Sequence, residues 1–187
     1  MTMKDSRLDT LRSWLKDCNP QWQLDPATLS PASADASFRR YFRIESKNPQ
    51  WGSMIVMDAP PQYEPLDAFI QVDFLLIEAG LNVPIILEKN EIDGFLLLSD
   101  LGHRTYLSKL HETSADYLYK DAINTLLDMQ MASKPEVLPN YDAALLQREL
   151  DLFPEWYLDQ HLHFELSDSQ ATQLKKSFAQ IIENNLA

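Results

Sequence analysis

The chain holds one cysteine and four glycines in 187 residues, and 16 basic residues against 28 acidic ones. A single cysteine excludes an internal disulfide and any thiolate-based structural metal site, so Cys18 reads as a reduced thiol of a cytosolic protein. The acidic excess, a formal net charge of −12, opposes non-specific attachment to nucleic acid or to an anionic membrane surface. No apolar run approaches the roughly 20 residues that cross a bilayer. The first residues, Met1 to Arg7, carry no apolar core of a secretory signal. The expectation is a cytoplasmic protein with no nucleic-acid partner and no membrane attachment. No repeat period and no low-complexity tract is visible. What remains is ordinary for a soluble globular chain, 45% hydrophobic and 24% charged, with a length that fits one domain or two small lobes.

Periodicity divides the chain. Leu8, Leu11, Trp14 and Leu15 recur at helical spacing over residues 6–17, after Asp5 or Ser6 as N-cap, and Asn19-Pro20 is expected to end that helix. Residues 21–32 are polar and contain proline, and read as a connector. Strands are expected over 37–45, 53–58, 83–88 and 95–99, with a helix over 66–79 closed by Gly80. Ala59-Pro60-Pro61 must leave the sheet, because proline donates nothing to a ladder. From Thr105 onward the period is helical, over 105–111, 115–132, 141–161 and 168–186. The apolar stripe of Asp116–Met131 reads as a buried helix. Strands around one helix, then helices alone, define an α+β fold with two segregated parts. The expected division is 1–102, with 1–32 as N-terminal helix and connector, and 103–187.

Two segments carry chemistry. The first is Ala32-Ser33-Ala34-Asp35-Ala36-Ser37-Phe38-Arg39-Arg40, small residues before a strand, whose backbone N–H groups a phosphate can approach closely. The second is Gly94-Phe95-Leu96-Leu97-Leu98-Ser99-Asp100-Leu101-Gly102, a buried strand that breaks into a polar turn. Backbone groups around Ser99–Leu101 are then free to meet a flat heteroaromatic ring, with Ile44, Ile55 and Leu98 as apolar walls. His161 and His163 stand two apart, on different faces of a helix, and suggest no metal site.

These segments occur in one order with Val56-Met57-Asp58-Ala59-Pro60-Pro61, Ala79-Gly80-Leu81-Asn82-Val83-Pro84, Thr105-Tyr106-Leu107 and Glu149-Leu150-Asp151-Leu152-Phe153-Pro154-Glu155-Trp156-Tyr157. As a set they resemble the aminoglycoside phosphotransferase and choline kinase-like superfamily, related in fold to protein kinases. They are most similar to the bacterial anomeric kinases of N-acetylmuramate and N-acetylglucosamine. The resemblance implies a small antiparallel sheet lobe and the first helices of a helical lobe. It also implies ATP and Mg²⁺ as cofactors, a sugar as phosphoryl acceptor, and a place in peptidoglycan recycling. The cofactor-binding residues it implies are Ser33, Ala34, Asp35, Ala36, Ser37, Phe38, Arg40, Ile55, Ser99, Asp100 and Leu101.

Two departures matter. None of His103, His111, His161 and His163 opens a His-x-Asp-x-x-x-x-Asn loop, so the family's catalytic aspartate and metal ligands are expected beyond Ala187. The chain by itself is then expected to be inactive and prone to associate. The strand that usually carries a phosphate-binding lysine is Ile55-Val56-Met57-Asp58, so either an arginine, Arg40 or Arg43, substitutes, which is the favoured expectation, or phosphate binding leans on backbone groups and Mg²⁺. Asp67, Asp73 and Glu78 are candidate acidic partners, with Asp73 best placed. Pro154 demands a break within a helical pattern, and Arg148, Glu149, Phe153, Trp156 and Tyr157 around it are the candidate sugar-side residues. The alternatives are a non-catalytic nucleotide-binding remnant, or a kinase of the same superfamily acting on an aminoglycoside, choline or a homoserine-type alcohol.

Overall fold

The computed structural model describes residues 5–34 and 37–186, the side chains of 33 and 34 aside. It is an α+β fold of two compact units, Met1–Ser133 and Lys134–Ala187. The first contains a five-stranded sheet in the spatial order β1-β2-β3-β5-β4. The strands are β1 (Leu24–Ala34), β2 (Arg40–Ser46), β3 (Ser53–Asp58), β4 (Ile86–Asn90) and β5 (Phe95–Ser99). Every pairing is antiparallel.

Helices α1 (Ser6–Trp22) and α2 (Leu66–Glu78) cover opposite faces of this sheet. Leu11 and Leu15 of α1 pack on Ile44, Met54, Val56, Phe95 and Leu97. Leu66 of α2, with Phe69 and Ile70, packs on Met57, Leu96 and Leu98. Both faces of β5 are therefore under helices, and all five of its residues are buried. That is why its sequence is a continuous apolar run and not an alternation. Each large side chain so buried contributes roughly 1.5–3 kcal/mol. The turn into β5 needs Gly94. Its φ is +76°, and a Cβ there would lie 1.9 Å from the Ala59 carbonyl oxygen. The close approach is a bond between two chain segments, the Ala59 N–H donating to the Gly94 carbonyl at 2.8 Å.

Three readings of local sequence are corrected. The first helix does not stop at Asn19-Pro20 but runs to Trp22. Proline inside a helix costs about 3 kcal/mol, and tertiary contacts offset it. The Trp22 indole N–H donates to Glu88 Oε1 at 3.0 Å, and the Ser46 hydroxyl donates to the Trp22 carbonyl at 2.6 Å. Residues 21–32 are no connector, because most of them form β1. Pro26 and Pro31 are tolerated there because β1 is an edge strand with two register shifts. The strand expected over 83–88 begins at Ile86, past Pro84.

Beyond β5 come α3 (Tyr106–Lys109) and α4 (Ala115–Ala132). Contrary to the expectation, α4 has no buried residue. Its apolar stripe is present, but Ile123, Leu126 and Leu127 are half exposed, with nothing among the described residues to cover them. The second unit holds α5 (Ala143–Leu152), a π-helix (Phe153–His161) that begins beside Pro154, and α6 (Asp168–Leu186). Among the described residues no helix is long and apolar enough to cross a membrane.

Candidate functional site

A cavity of about 410 Å³ opens on the α2 face of the sheet. Its apolar walls are Ile55 of β3, Leu98 of β5, Phe69 of α2 and Pro84, with Tyr41 of β2 beside them. Ser99, Asp100, Leu101, Gly102, His103 and Thr105 close one side as the chain leaves the sheet. Among the described residues, the backbone N–H and C=O of Leu101 enter no hydrogen bond. An apolar slot edged by a free backbone donor and acceptor suits a flat heteroaromatic ring with polar edges.

The exit strand is fixed by charge. Arg43 reaches from β2 to Asp100 as a fork, Nε to Oδ2 at 2.5 Å and Nη2 to Oδ1 at 3.0 Å. The Ser53 hydroxyl donates to Oδ2 at 2.7 Å, and the Gly102 N–H to Oδ1 at 2.8 Å. These donors, Arg43 foremost, hold the Asp100 carboxyl well below the usual carboxylate range. Arg43 Nη2 also donates to the Gly102 carbonyl at 3.2 Å, and Nη1 lies 3.0 Å from His103 Nδ1. Arginine has no lone pair to offer, so that His103 nitrogen accepts. Asp100 is thus a strut for the turn, and its carboxylate has no oxygen left uncommitted.

The structure brings Ile55, Ser99, Asp100 and Leu101 together around the cavity, with Arg43 and Leu98. Ile44 packs in the α1-side core and does not reach it. Asp35 and Ala36 lie outside the described residues, and for Ser33 and Ala34 only the backbone of β1 is described. The Ser37 hydroxyl accepts from the Arg39 N–H at 3.1 Å, and Phe38 stacks on Tyr63 with ring centroids 4.4 Å apart. Arg40 is not brought to the cavity. It sits on the α1 face, where Arg40 and Arg7 clasp the fully buried Asp58 from two sides. On α2, Asp67 and Glu78 are exposed and Asp73 is buried. Burial raises the Asp73 carboxyl above its usual value.

Tyr41, Phe69, His103 and Thr105 escaped the sequence reading. Phe69 had a signal, its inward position on the helix after β3. Tyr41 depended on a cross-strand register, and His103 and Thr105 on the path of the chain after β5, neither of which the sequence states.

In the second unit, Phe153 and Tyr157 stack at 5.6 Å, and Tyr157 meets His161 at 5.7 Å. This is one exposed aromatic row along the π-helix. Trp156 is exposed, and Arg148 pairs with Glu149 at 3.3 Å on the surface of α5.

An all-antiparallel sheet with one helix between its third and fourth strands, and a cavity at the exit of its fifth, is the sheet part of a protein-kinase-like α+β architecture. Residues 28–187 match the model of the phosphotransferase enzyme family, and the chain belongs to that family. It is similar to three proteins called N-acetylmuramate/N-acetylglucosamine kinase. That of Pseudomonas aeruginosa is 46% identical over 179 residues, covering 92% of this chain and 52% of that protein. That of Pseudomonas putida is 39% identical over 194 residues, covering 100% and 56%. That of Neisseria meningitidis is 37% identical over 164 residues, covering 86% and 47%. The chain spans about half the length of the curated relatives it matches.

Proposed function

We propose that this chain forms the nucleotide-binding part of a cytoplasmic, ATP-dependent kinase. Its acceptor is a sugar hydroxyl, foremost the anomeric hydroxyl of N-acetylmuramate or N-acetylglucosamine released in cell-wall recycling. The observation that carries the reading is the cavity beside Leu101, in a chain of the phosphotransferase family whose relatives bear that kinase name. Adenine lies on the apolar floor of Ile55 and Leu98, with its polar edge on the Leu101 backbone. Residues 1–102 act as the nucleotide lobe, and Asp100–Gly102 as its link to the helical part. The small-residue segment 33–38, whose Ser33 and Ala34 end β1, approaches the phosphates. The aromatic row Phe153–Tyr157, with Trp156, Arg148 and Glu149, offers the sugar-side wall.

Mg²⁺ would offset phosphate charge in such a transfer. Among the described residues no group of three His, Cys, Asp or Glu side chains is placed to hold a metal ion, so its ligands are not assigned to this chain. Nor does the sequence contain a His-x-Asp-x-x-x-x-Asn loop. The 187-residue chain alone is therefore expected to bind nucleotide without turnover.

The test is a titration of the isotopically labelled chain with ATP, read from the amide shift of Leu101. Perturbation centred on residues 98–103 supports the reading, and no binding, or perturbation centred elsewhere, refutes it. The acceptor is tested with a protein that extends these residues by the missing loop. Faster sugar 1-phosphate formation from N-acetylmuramate than phosphorylation of an aminoglycoside or choline is the expected result.

A further inference from the structure

On the α2 face β3 presents Ile55, which lines the cavity, and Met57, which is buried in the core, so the strand offers no cation to a bound polyphosphate. Arg40 is committed to Asp58 and Asp5 on the opposite face, and Arg43 to Asp100. Arg39 is different. It precedes β2, directly follows the small-residue loop, and alternation turns it toward the α2 face. There its guanidinium lies over Phe69, a wall of the cavity, 5.8 Å from the ring centroid. Its only ion pair among the described residues is Nη2 to Glu64 Oε2 at 2.8 Å. Its Nε is buried and has no hydrogen-bond partner among the described residues. A buried donor on a permanently charged group calls for an acceptor, and anionic oxygen is the best one.

We propose that Arg39 is the cation that holds the polyphosphate of the bound nucleotide. It takes the place of the missing lysine, and Glu64 occupies its Nη2 until phosphate displaces it. This rests on the nucleotide-binding reading above and adds to it the residue that recognises the phosphates. Adenine recognition does not depend on it.

The test uses the 187-residue chain and compares dissociation constants for ATP, adenosine and inorganic tripolyphosphate. Arg39→Gln should weaken ATP by about tenfold or more, as expected for the loss of one charge-assisted hydrogen bond. It should abolish competition by tripolyphosphate and leave adenosine within about twofold. Arg39→Lys should recover part of the loss. Glu64→Gln, which removes the competing carboxylate, should tighten ATP several-fold. Equal weakening of ATP and adenosine by Arg39→Gln, or no change in either, overturns the proposal while leaving the adenine site standing. Failure of Glu64→Gln to tighten ATP overturns the displacement by phosphate. If the unaltered chain binds neither ATP nor adenosine, the nucleotide reading itself fails and Arg39 goes with it. Thermal melts identify a variant that has merely unfolded, in which case Arg39→Lys and Glu64→Gln decide.

Discussion

Asp58→Asn should destabilise the first unit by about 3 kcal/mol. Asp58 ends β3, is fully buried, and faces two arginines. Arg7 of α1 donates through Nε at 3.0 Å and through Nη2 to Oδ1. Arg40 of β2 donates through Nε at 2.9 Å and Nη2 at 2.5 Å to Oδ2. Asparagine keeps one oxygen and sets an NH₂ group against the other fork. Two charge-assisted bonds are lost, each worth roughly 1.5 kcal/mol at the low end of its range. The low end applies because the arginines are 31% and 37% exposed and regain water on one side. Breaking a buried ion pair by removing one partner costs about 3–5 kcal/mol, which agrees.

Urea unfolding followed by circular dichroism measures the change, which should appear as a lower midpoint at unchanged slope. The melting temperature should fall by about 6 °C or more. Arg40→Ala combined with Asp58→Asn should cost less than the sum of the two, because both changes break the same fork. A loss below about 0.5 kcal/mol would refute the reasoning and place these arginines with ordinary exposed pairs. The network lies on the α1 face, so the affinity for ATP should not move. A nucleotide-specific loss without a loss of stability would contradict the placement of the site.

Other expectations follow from single residues. Gly94→Ala should unfold the chain or cost several kcal/mol, since it combines a left-handed φ, worth roughly 1–2 kcal/mol, with a 1.9 Å clash on Ala59; a stability near that of the parent would refute it. Burial raises the Asp73 carboxyl, so its contribution is favourable below the ordinary carboxylate value and is lost as pH rises through the raised one. Asp73→Asn should therefore stabilise at pH 7, with a gain that vanishes in acid, as chemical denaturation at several pH values would show. Asp100 has the opposite sign: its lowered carboxyl contributes fully above the ordinary value near 3.8 and loses that contribution only as pH falls below it. Asp100→Asn should accordingly destabilise at pH 7. Burial, then Glu88 and Asp17, pushes the Cys18 thiol up to about 11. Alkylation of the native chain at pH 8 should be far slower than of the unfolded chain, and comparable rates would overturn it.

Much of the fold was legible because its main signals are local. Ser53–Asp58 and Phe95–Ser99 occupy the spans their apolar runs define, and Asp5 caps α1 by accepting from the Leu8 N–H at 3.0 Å. What escaped was set by distant partners. Pro20 stays helical because Trp22 is tied to Glu88, 66 residues on. β1 is a strand despite Pro26 and Pro31 because Arg40–Ser46 offers it a ladder. No local pattern records either partner.

The site shows the same division in sharper form. A sequence gives residue type and alternation, and these placed Ile55, Leu98 and the Ser99–Leu101 turn at one cavity. Which arginine serves that cavity is a question of face, and Arg39 and Arg40 are neighbours on opposite faces. Counting basic residues cannot separate them. The partner of each does so: Asp58 is buried on the α1 face and claims Arg40, and Asp100 claims Arg43. Arg39 alone of the three retains a buried donor without an acceptor among the described residues. A strand that lost its lysine has not thereby lost its charge. The proposed phosphate-binding charge stands just before β2, the strand next to the one where the lysine is expected, yet on the same face of the sheet, and phosphate responds to position and charge whatever the order of the chain.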